Sequence, residues 1–297
     1  MSLIKTNTET TGENLIIAEH LSKVYRSFWG LPRVRALNGV DFAVPRGSVF
    51  GLLGPNGSGK TTIIKLLLGL ARPTSGRAVV LGKPAGDQKA RARIGYLPEE
   101  SYLYSFLSGD QTLDFYGKLF GLNKRIRRER SEHLLDTMGL DKRDRRRKVG
   151  SYSKGMARII GLAQALINDP DLIILDEPTT GLDPIGTLQM KELIKELQKQ
   201  GKTVFLSSHL LADVEDVCDR ILILYRGQVK IIGAVDELLS LKDVFELRAR
   251  NVSAEIQNKL TDMVETSGAE TISAGAQRAR LEELFKRVVA EEVEKET

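Results

Sequence analysis

The chain has 297 residues, of which 41% are hydrophobic and 28% are charged. This length accommodates one large domain with a small appendage or two modest domains, and the composition is ordinary for a globular protein. No apolar run approaches the roughly 18 residues that a membrane-spanning helix needs, and the first residues lack the apolar core of a signal peptide. We therefore expect a cytoplasmic protein that reaches any membrane through a partner.

The formal net charge of +5 is concentrated in two basic segments, 124–130 and 142–148, which carry +4 and +5. Neither segment contains the aromatic residues that stack on nucleic-acid bases. We interpret them either as a solvated face or as a surface that docks on anionic lipid headgroups. The one cysteine, Cys218, excludes an intramolecular disulfide and is expected to be a buried thiol.

In the first hundred residues, short apolar runs predict strands that are separated by turns. The predicted strands are Leu15–Ala18, Val40–Val44, Val49–Leu53, Arg77–Leu81 and Ile94–Leu97. A helix is predicted to begin near Lys60 and to end around Gly69, because Pro73 follows shortly afterwards.

The loop between the third strand and this helix reads GPNGSGKT and fits the pattern G-x-x-x-x-G-K-[ST]. Its glycines let the backbone wrap around a triphosphate, and the helix N-terminus attracts negative charge. Lys60 is expected to reach the β- and γ-phosphates, and the Thr61 hydroxyl to ligate Mg²⁺. The residues predicted to bind ATP here are Gly54, Pro55, Asn56, Gly57, Ser58, Gly59, Lys60, Thr61 and Thr62.

From about residue 110 the apolar pattern becomes helical, and alternation of strands and helices resumes after residue 167. The predicted helices are Thr112–Phe120, Arg127–Met138, Gly155–Ile167 and Ile185–Lys199. The predicted strands are Leu172–Leu175, Val204–Leu206, Ile221–Leu224 and Val229–Ile232. This order predicts an α/β core with a parallel sheet covered on both faces and interrupted by a helical insertion.

Two acidic residues, Asp176 and Glu177, directly follow the buried strand Leu172–Leu175. In an open α/β sheet, ligands bind beyond the carboxyl ends of the strands. Asp176 is therefore expected to hold Mg²⁺, mainly through water, and Glu177 to polarise the attacking water. Adjacent acids after a strand are otherwise usually part of a solvated loop, but here a phosphate loop precedes them in the sequence.

Further segments resemble the motifs of ATP-binding-cassette (ABC) ATPases. The run SYSKGM resembles their LSGGQ signature and retains Ser153 and Gly155, and GLDP matches their D-loop, which contains Asp183. His209 matches their switch histidine, and Tyr25 lies where their adenine-stacking aromatic residue lies. The order and spacing fit over residues 14–235.

This resemblance implies a P-loop NTPase (RecA-like) core with an antiparallel β subdomain and an inserted α-helical subdomain at about residues 99–167. The ABC ATPase domain then covers residues 1–235, and residues 236–297 form a small C-terminal α+β extension. In the extension we predict a strand at Val244–Leu247, a helix at Ala254–Thr266 and a last helix. One face of the last helix carries Leu281, Leu284, Phe285, Val288 and Val289, and it either packs on its own domain or contacts a partner.

The resemblance also implies a head-to-tail dimer in which each ATP lies between the phosphate loop of one subunit and the signature of the other. Ser153 and Gly155 would then contact nucleotide across the interface. His209 would contact the γ-phosphate, and Glu177 and His209 are the predicted catalytic residues. The predicted Mg²⁺ ligands are Thr61, Glu99 and Asp176.

The chain departs from the family pattern at several positions. Glu99 stands where the Q-loop usually has glutamine, and Tyr152, Lys154 and Met156 replace signature residues. None of these changes removes a catalytic residue, so hydrolysis is still expected. The departures resemble the bacterial subfamily whose ATPase chains serve exporters with a separate permease.

The predicted function is therefore ATP hydrolysis that energises export through a separate transmembrane permease, at the inner face of the cell membrane. The second ATPase subunit would be another copy or a paralogue, and no nucleic-acid partner is expected. The alternative is a soluble ABC ATPase that acts on ribosomes or nucleic acid. Such proteins usually carry two cassettes or long coiled coils, and neither is evident in this sequence.

Overall fold

The computed structural model of this chain describes residues 14–26, 32–239 and 252–267. The chain divides into two compact units, Met1–Ser240 and Leu241–Thr297. The predicted strand at Val244–Leu247 and the predicted last helix lie outside the described residues. The predicted helix Ala254–Thr266 lies in the second unit, and the structure has a helix with the same bounds.

The secondary-structure elements of the described residues are numbered in chain order. The strands are β1 (Asn14–Arg26), β2 (Pro32–Pro45), β3 (Val49–Leu53), β4 (Ser75–Val80), β5 (Lys83–Pro84), β6 (Ile94–Leu97), β7 (Leu172–Asp176), β8 (Thr203–Ser208), β9 (Arg220–Tyr225) and β10 (Gln228–Ala234). The helices are α1 (Lys60–Leu67), α2 (Gln88–Arg91), α3 (Gly109–Leu119), α4 (Lys124–Thr137), α5 (Lys142–Arg145), α6 (Lys154–Leu166), α7 (Pro184–Lys199), α8 (Leu211–Val217), α9 (Val235–Leu239) and α10 (Ala254–Thr266). A 3₁₀ turn covers Val149–Ser151.

The larger sheet of the described residues has the strand order β10-β9-β3-β8-β7-β6. Strands β9, β3, β8, β7 and β6 are parallel, and β10 pairs antiparallel with β9. Strands β3, β7 and β8 are buried along their whole length, as their unbroken apolar sequences predict. Because the strands are parallel and in register, Leu53 pairs with Ser208, Asp176 with Ser207, and their carboxyl ends share one edge.

The smaller sheet is antiparallel and has the order β2-β1-β4-β5. Its strands β1 and β2 extend well beyond the predicted apolar runs, because an antiparallel sheet can leave one face in contact with water. Val40, Phe42 and Val44 are buried, whereas Asp41 and Ala43 between them are only half-buried. The apolar pattern therefore marks only the part of each strand that faces the core.

Phenylalanine rings join the two sheets. Phe42 of β2, Phe50 of β3 and Phe205 of β8 stack with ring centroids 5.7–6.1 Å apart. Helix α1 packs in the same apolar cluster through Ile63 and Ile64. On the opposite face of the parallel sheet, α6 and α7 belong to a second apolar cluster. The prediction of a parallel sheet covered on both faces is confirmed.

The segment between β6 and β7 forms the predicted helical insertion, which contains α3, α4, α5 and α6. Helices α3 and α4 begin three residues before their predicted starts and α6 begins one residue before, because capping residues rather than apolar periodicity determine the first turn. Ser108, Asn123 and Ser153 accept hydrogen bonds from backbone N–H groups in the first turns of α3, α4 and α6.

The short elements β5 and α2 are absent from the prediction, since two to four residues are too few to show periodicity. Asp87 caps α2 by accepting a hydrogen bond from the Ala90 N–H at 3.0 Å. Cys218 lies at the end of α8 and is buried, as predicted. Among the described residues, we find no helix that combines the length and the apolar character needed to cross a bilayer.

Phe205 gives a test of how the two sheets are held together. Its ring is fully buried against those of Phe42 and Phe50, so Phe205→Ala should lower the free energy of unfolding by about 3–5 kcal/mol. Urea denaturation followed by circular dichroism measures this change. Leu70→Ala is the control, because Leu70 is exposed and its truncation should cost about 0.5 kcal/mol or less. Equal losses in the two variants would contradict this packing.

Candidate functional site

The carboxyl edge of the parallel sheet brings most of the predicted site residues together. Strand β3 leads into the loop 54–59, and β6 leads to Glu99. Strand β7 ends at Asp176 and is followed by Glu177, and β8 is followed by His209. Because β3, β8, β7 and β6 are consecutive neighbours, residues more than a hundred positions apart in the sequence meet at one place.

The conformation of the phosphate loop depends on glycine geometry and on a hydrogen bond from a neighbouring turn. Gly59 has a φ of 112° and precedes α1, whose N-terminus has no side-chain cap among the described residues. The Gly227 N–H, in the turn between β9 and β10, donates to the Ser58 carbonyl at 2.9 Å. The uncapped N–H groups at the start of α1 are suited to an anion.

The residues of this loop differ in their exposure. Pro55, Asn56 and Gly57 are exposed, as is Thr61 in the first turn of α1, and Thr62 is half-buried. Backbone and hydroxyl groups of this stretch are therefore accessible to a ligand at the end of α1.

Lys60 is buried and joins the phosphate loop to β7. Its Nζ donates to the Gly54 carbonyl at 2.7 Å and lies 3.2 Å from Glu177 Oε1. Both side chains of this ion pair are less than a tenth exposed. A buried ammonium in this position can be satisfied either by a protein carboxylate or by an anionic ligand at the loop.

Glu177 lies at the centre of the site in a strained backbone conformation. Its φ is 48°, in the left-handed region that side chains other than glycine seldom adopt. Its Oε2 is 2.8 Å from His209 Nδ1 and 3.4 Å from the Thr180 hydroxyl. The carboxylate therefore bridges Lys60 on one side and His209 on the other.

Asp176 is buried at the last position of β7. It accepts a hydrogen bond from the Ser207 hydroxyl at 2.6 Å, and Ser207 Oγ in turn accepts from the Glu177 N–H at 3.1 Å. Burial raises the pKa of the Asp176 carboxyl, while the Ser207 hydrogen bond and the Lys60 charge lower it. Ser207 was not predicted as a site residue. The signal for it is its place opposite Asp176 in the β7–β8 pairing.

Glu99 is exposed in the loop after β6. Its carbonyl oxygen accepts a hydrogen bond at 2.7 Å from Arg158 of α6, another buried residue that the sequence does not single out. Arg158 also donates to the Asp176 carbonyl at 2.7 Å. The backbone of the Glu99 loop is thus fixed relative to β7, whereas its carboxylate faces solvent.

A second buried group anchors the segment after His209. Lys191 of α7 forms ion pairs with Asp213 at 2.9 Å and Asp216 at 2.8 Å, both on α8. Thr179, two residues after Glu177, donates its hydroxyl hydrogen to Asp213 at 2.6 Å. This network joins the turn after β7 to the helix that follows β8, and it was not predicted from the sequence.

Within one chain, Ser153, Gly155 and Asp183 do not lie beside Lys60 and Glu177. They line a separate cleft of about 610 Å³ between α6 and α7. Ser153 caps α6 by accepting from the Met156 N–H at 3.2 Å, and Asp183 caps α7 by accepting from the Gly186 N–H at 2.7 Å. The chain therefore presents two partial sites, one at the phosphate loop and one at this cleft.

Tyr25 lies near the end of β1 in the antiparallel sheet and is 38% exposed. Its ring lies beneath the ammonium of Lys23, with 5.1 Å from Nζ to the ring centroid. The ring is thus accessible, and a flat base could stack on it. The neighbouring aromatic residues Phe28 and Trp29 lie outside the described residues.

Comparisons with known proteins point to one family. Residues 37–180 match the family model described as ABC transporter. The chain is 46% identical over 248 residues to an ABC transporter ATP-binding protein of Nostoc sp., covering 83% of this chain and 74% of that protein. It is 37% identical over 228 residues to the linearmycin resistance ATP-binding protein LnrL of Bacillus subtilis, covering 76% of this chain and 71% of LnrL.

A solved structure extends this similarity to the fold. The dimeric post-hydrolysis structure of the ATP-binding cassette MJ0796, bound to ADP and Pi, matches with a TM-score of 0.68 at 25% identity. The match covers 74% of this chain and 98% of that chain. The P-loop NTPase fold predicted from the sequence is confirmed.

Gly54 gives a test of the phosphate-loop packing. A Cβ at Gly54 would overlap the Leu224 carbonyl oxygen and the Ser58 hydroxyl, so Gly54→Ala should displace the loop and lower the Tm. Gly57→Ala should cost only about 1–2 kcal/mol, from its φ of 78°, because a Cβ there meets no atom within 4 Å. Thermal unfolding of both variants measures the difference, and an equal fall in Tm would contradict the tight packing around Gly54.

Proposed function

We propose, since this chain belongs to the family of ABC transporter ATP-binding proteins, that it hydrolyses ATP to drive export through a separate membrane permease. Members of this family bind and hydrolyse ATP. The observation that carries the proposal is the meeting of Lys60, Glu177 and His209 beside the phosphate loop. This arrangement combines a cation for phosphate, a buried carboxylate and a histidine within hydrogen-bonding distance of it.

We assign Mg²⁺ to the Asp176 side of this site. The Asp176 carboxylate and the Thr61 hydroxyl are hard oxygen donors, the type that Mg²⁺ prefers. In the described part of the chain, no group of three or more His, Cys, Asp or Glu residues could hold a metal ion by itself. We propose that the metal is shared between a few protein oxygens and the nucleotide phosphates. When bound, Mg²⁺ neutralises phosphate charge, and Glu99 is the third proposed ligand.

The protein side chains then have distinct tasks in hydrolysis. Lys60 holds the terminal phosphates, and the N–H groups at the start of α1 bind them as the end of a helix dipole. Glu177 accepts a hydrogen bond from the attacking water and polarises it. His209 is within hydrogen-bonding distance of Glu177 and contacts the γ-phosphate. Tyr25 stacks on the adenine.

The second partial site supports a head-to-tail dimer. Ser153 and Gly155 line a cleft that Lys60 and Glu177 do not line. The two halves of the proposed nucleotide site therefore lie apart within one chain. Two copies related by a twofold axis can each complete the other's nucleotide site. The dimeric MJ0796 cassette with ADP and Pi supports this arrangement. A paralogue with the same motifs would serve equally as the second subunit.

A surface next to the Glu99 loop fits a membrane partner. We name it the aromatic patch and define it by the exposed side chains of Tyr102, Tyr104 and Phe106, of which the rings of Tyr104 and Phe106 lie 5.6 Å apart. Tyr102 is 84% exposed and Phe106 is 64% exposed. Clustered apolar exposure of this kind marks interaction sites. A permease bound here would contact the chain a few residues after Glu99, and the name of the relative LnrL supports a resistance-type exporter.

Two arginines of the basic segments have structural partners, whereas eight of the eleven basic side chains in these segments are exposed. Arg127 pairs with Asp114 at 2.7 Å, and Arg145 pairs with Asp136 at 2.6 Å. Arg145 is also buried and donates to the Leu140 carbonyl. These arginines stabilise the helical insertion, so reversing the charge of Arg145 would test folding rather than docking.

Glu177→Gln tests the hydrolytic site. Glutamine keeps the shape of the side chain and removes its basicity, so the ATPase rate should fall by about 10²–10⁴-fold while MgATP binding is retained. The variant should then be monomeric without nucleotide and dimeric with MgATP in size-exclusion chromatography. Lys60→Ala should instead lose nucleotide binding and remain monomeric. A Glu177→Gln protein with the wild-type rate would contradict the assignment.

The aromatic patch is tested by making it polar. The double variant Tyr102→Ser and Phe106→Ser should keep the ATPase activity of the isolated chain and lose co-purification with the membrane protein that the tagged wild-type chain captures. Loss of activity as well would indicate misfolding instead. Leu70→Ser is the control, since Leu70 has the same exposure as Phe106 but lies outside the patch. Equal capture by all three proteins would contradict docking at this surface.

A further inference from the structure

The guanidinium of Arg158 is bonded entirely to backbone carbonyl oxygens. Arg158 is only 6% exposed, and each of its five N–H groups donates to a different carbonyl. Nη1 donates to the carbonyls of Pro98 and Glu99, the latter at 2.7 Å. The other three acceptors belong to consecutive residues: Asp176 at 2.7 Å and Glu177 at 2.8 Å from Nη2, and Pro178 at 3.2 Å from Nε.

These three consecutive acceptors include the strained residue of the site. The carbonyls of residues 176–178 converge on one guanidinium, while the Glu177 carboxylate contacts Lys60 and His209. A φ of 48° at glutamate costs free energy and persists only where surrounding contacts enforce it. The planar fork of Arg158 supplies such contacts on both sides of the strained residue.

The helix that carries Arg158 also carries the signature serine. Ser153 caps α6, and Arg158 follows five residues later, about 7.5 Å along the helix axis. The same helix packs tightly on β6 and the loop after it. A Cβ at Gly95 would overlap the Ala165 carbonyl oxygen, and a Cβ at Gly161 would come within 2.8 Å of the Ser101 hydroxyl. Helix α6 and the Glu99 loop are therefore constrained to move together.

We propose that Arg158 is a positioning residue that holds the Glu177 backbone for hydrolysis and transmits the position of Ser153 to it. The inference rests on the proposed ATPase function. Nucleotide bound to Ser153 fixes the start of α6, and Arg158 passes this constraint to the loop after β6 and to the turn after β7. Lysine cannot replace it, because three donors on a point charge cannot bridge five carbonyls in two segments.

Arg158→Lys tests this position, with kcat and KM for MgATP measured separately. Misplacement of the Glu177 carboxylate should lower kcat by about 10–100-fold. KM and MgATP affinity should stay within about twofold, since Arg158 does not touch the phosphate loop among the described residues. The MgATP-dependent dimer should still form. The rates of the wild-type and variant proteins are compared at a temperature well below the lowest of their Tm values. Arg158→Gln, whose side chain keeps two donors, should show the same loss of kcat at nearly constant MgATP affinity.

The matched control is Arg145→Lys, which changes another buried arginine with carbonyl and carboxylate partners in the helical insertion. It should lower the Tm and leave kcat unchanged. A wild-type kcat in both Arg158 variants, or an equal loss of kcat and MgATP affinity, would overturn the positioning role. If Glu177→Gln keeps the wild-type rate in the same assay, the proposed function itself fails. If Glu177→Gln is inactive and both Arg158 variants are fully active, only this inference fails.

Discussion

Parallel pairing of β3, β8, β7 and β6 is the constraint on which the site depends. Because the strands run in the same direction and in register, the four segments that follow them must emerge at one edge. The strands are fixed by burial, since a slip of one residue would exchange their two covered faces. The sheet determines where each of these segments begins. The segments therefore need only a suitable local conformation to place their polar side chains in the site.

Buried charges of both signs lie close together at this edge of the sheet. Two carboxylates, Asp176 and Glu177, lie beside two buried cations, Lys60 and Arg158. Burial raises the pKa of Asp176 and lowers that of Arg158, whereas the opposite charges around each group shift its pKa in the other direction. In the proposed function a triphosphate adds negative charge here, and Lys60 is the cation that would exchange Glu177 for it. Arg158 cannot make this exchange, because all of its donors are already used.

The sequence predicted the parts of the site whose chemistry follows from local spacing. The loop before Lys60 and the acidic pair after β7 are short patterns with a defined strand or helix beside them, and the structure has those elements in place. Ser207 and Arg158 could not be found in this way. A serine at a strand end and an arginine inside an amphipathic helix are common, and only the pairing of β7 with β8 and the packing of α6 give them partners. The length of β1 was underestimated for a related reason, since its half-exposed residues lack an apolar pattern.

The left-handed backbone at Glu177 has a consequence for the evolution and engineering of this protein. Glycine adopts that conformation without strain, whereas glutamate costs about 1–2 kcal/mol there. The ion pair with buried Lys60 opposes that strain, since removing the carboxylate would leave a buried ammonium without its partner. Backbone strain and charge pairing therefore act against each other at this position, and a glycine would relieve the first only by giving up the second.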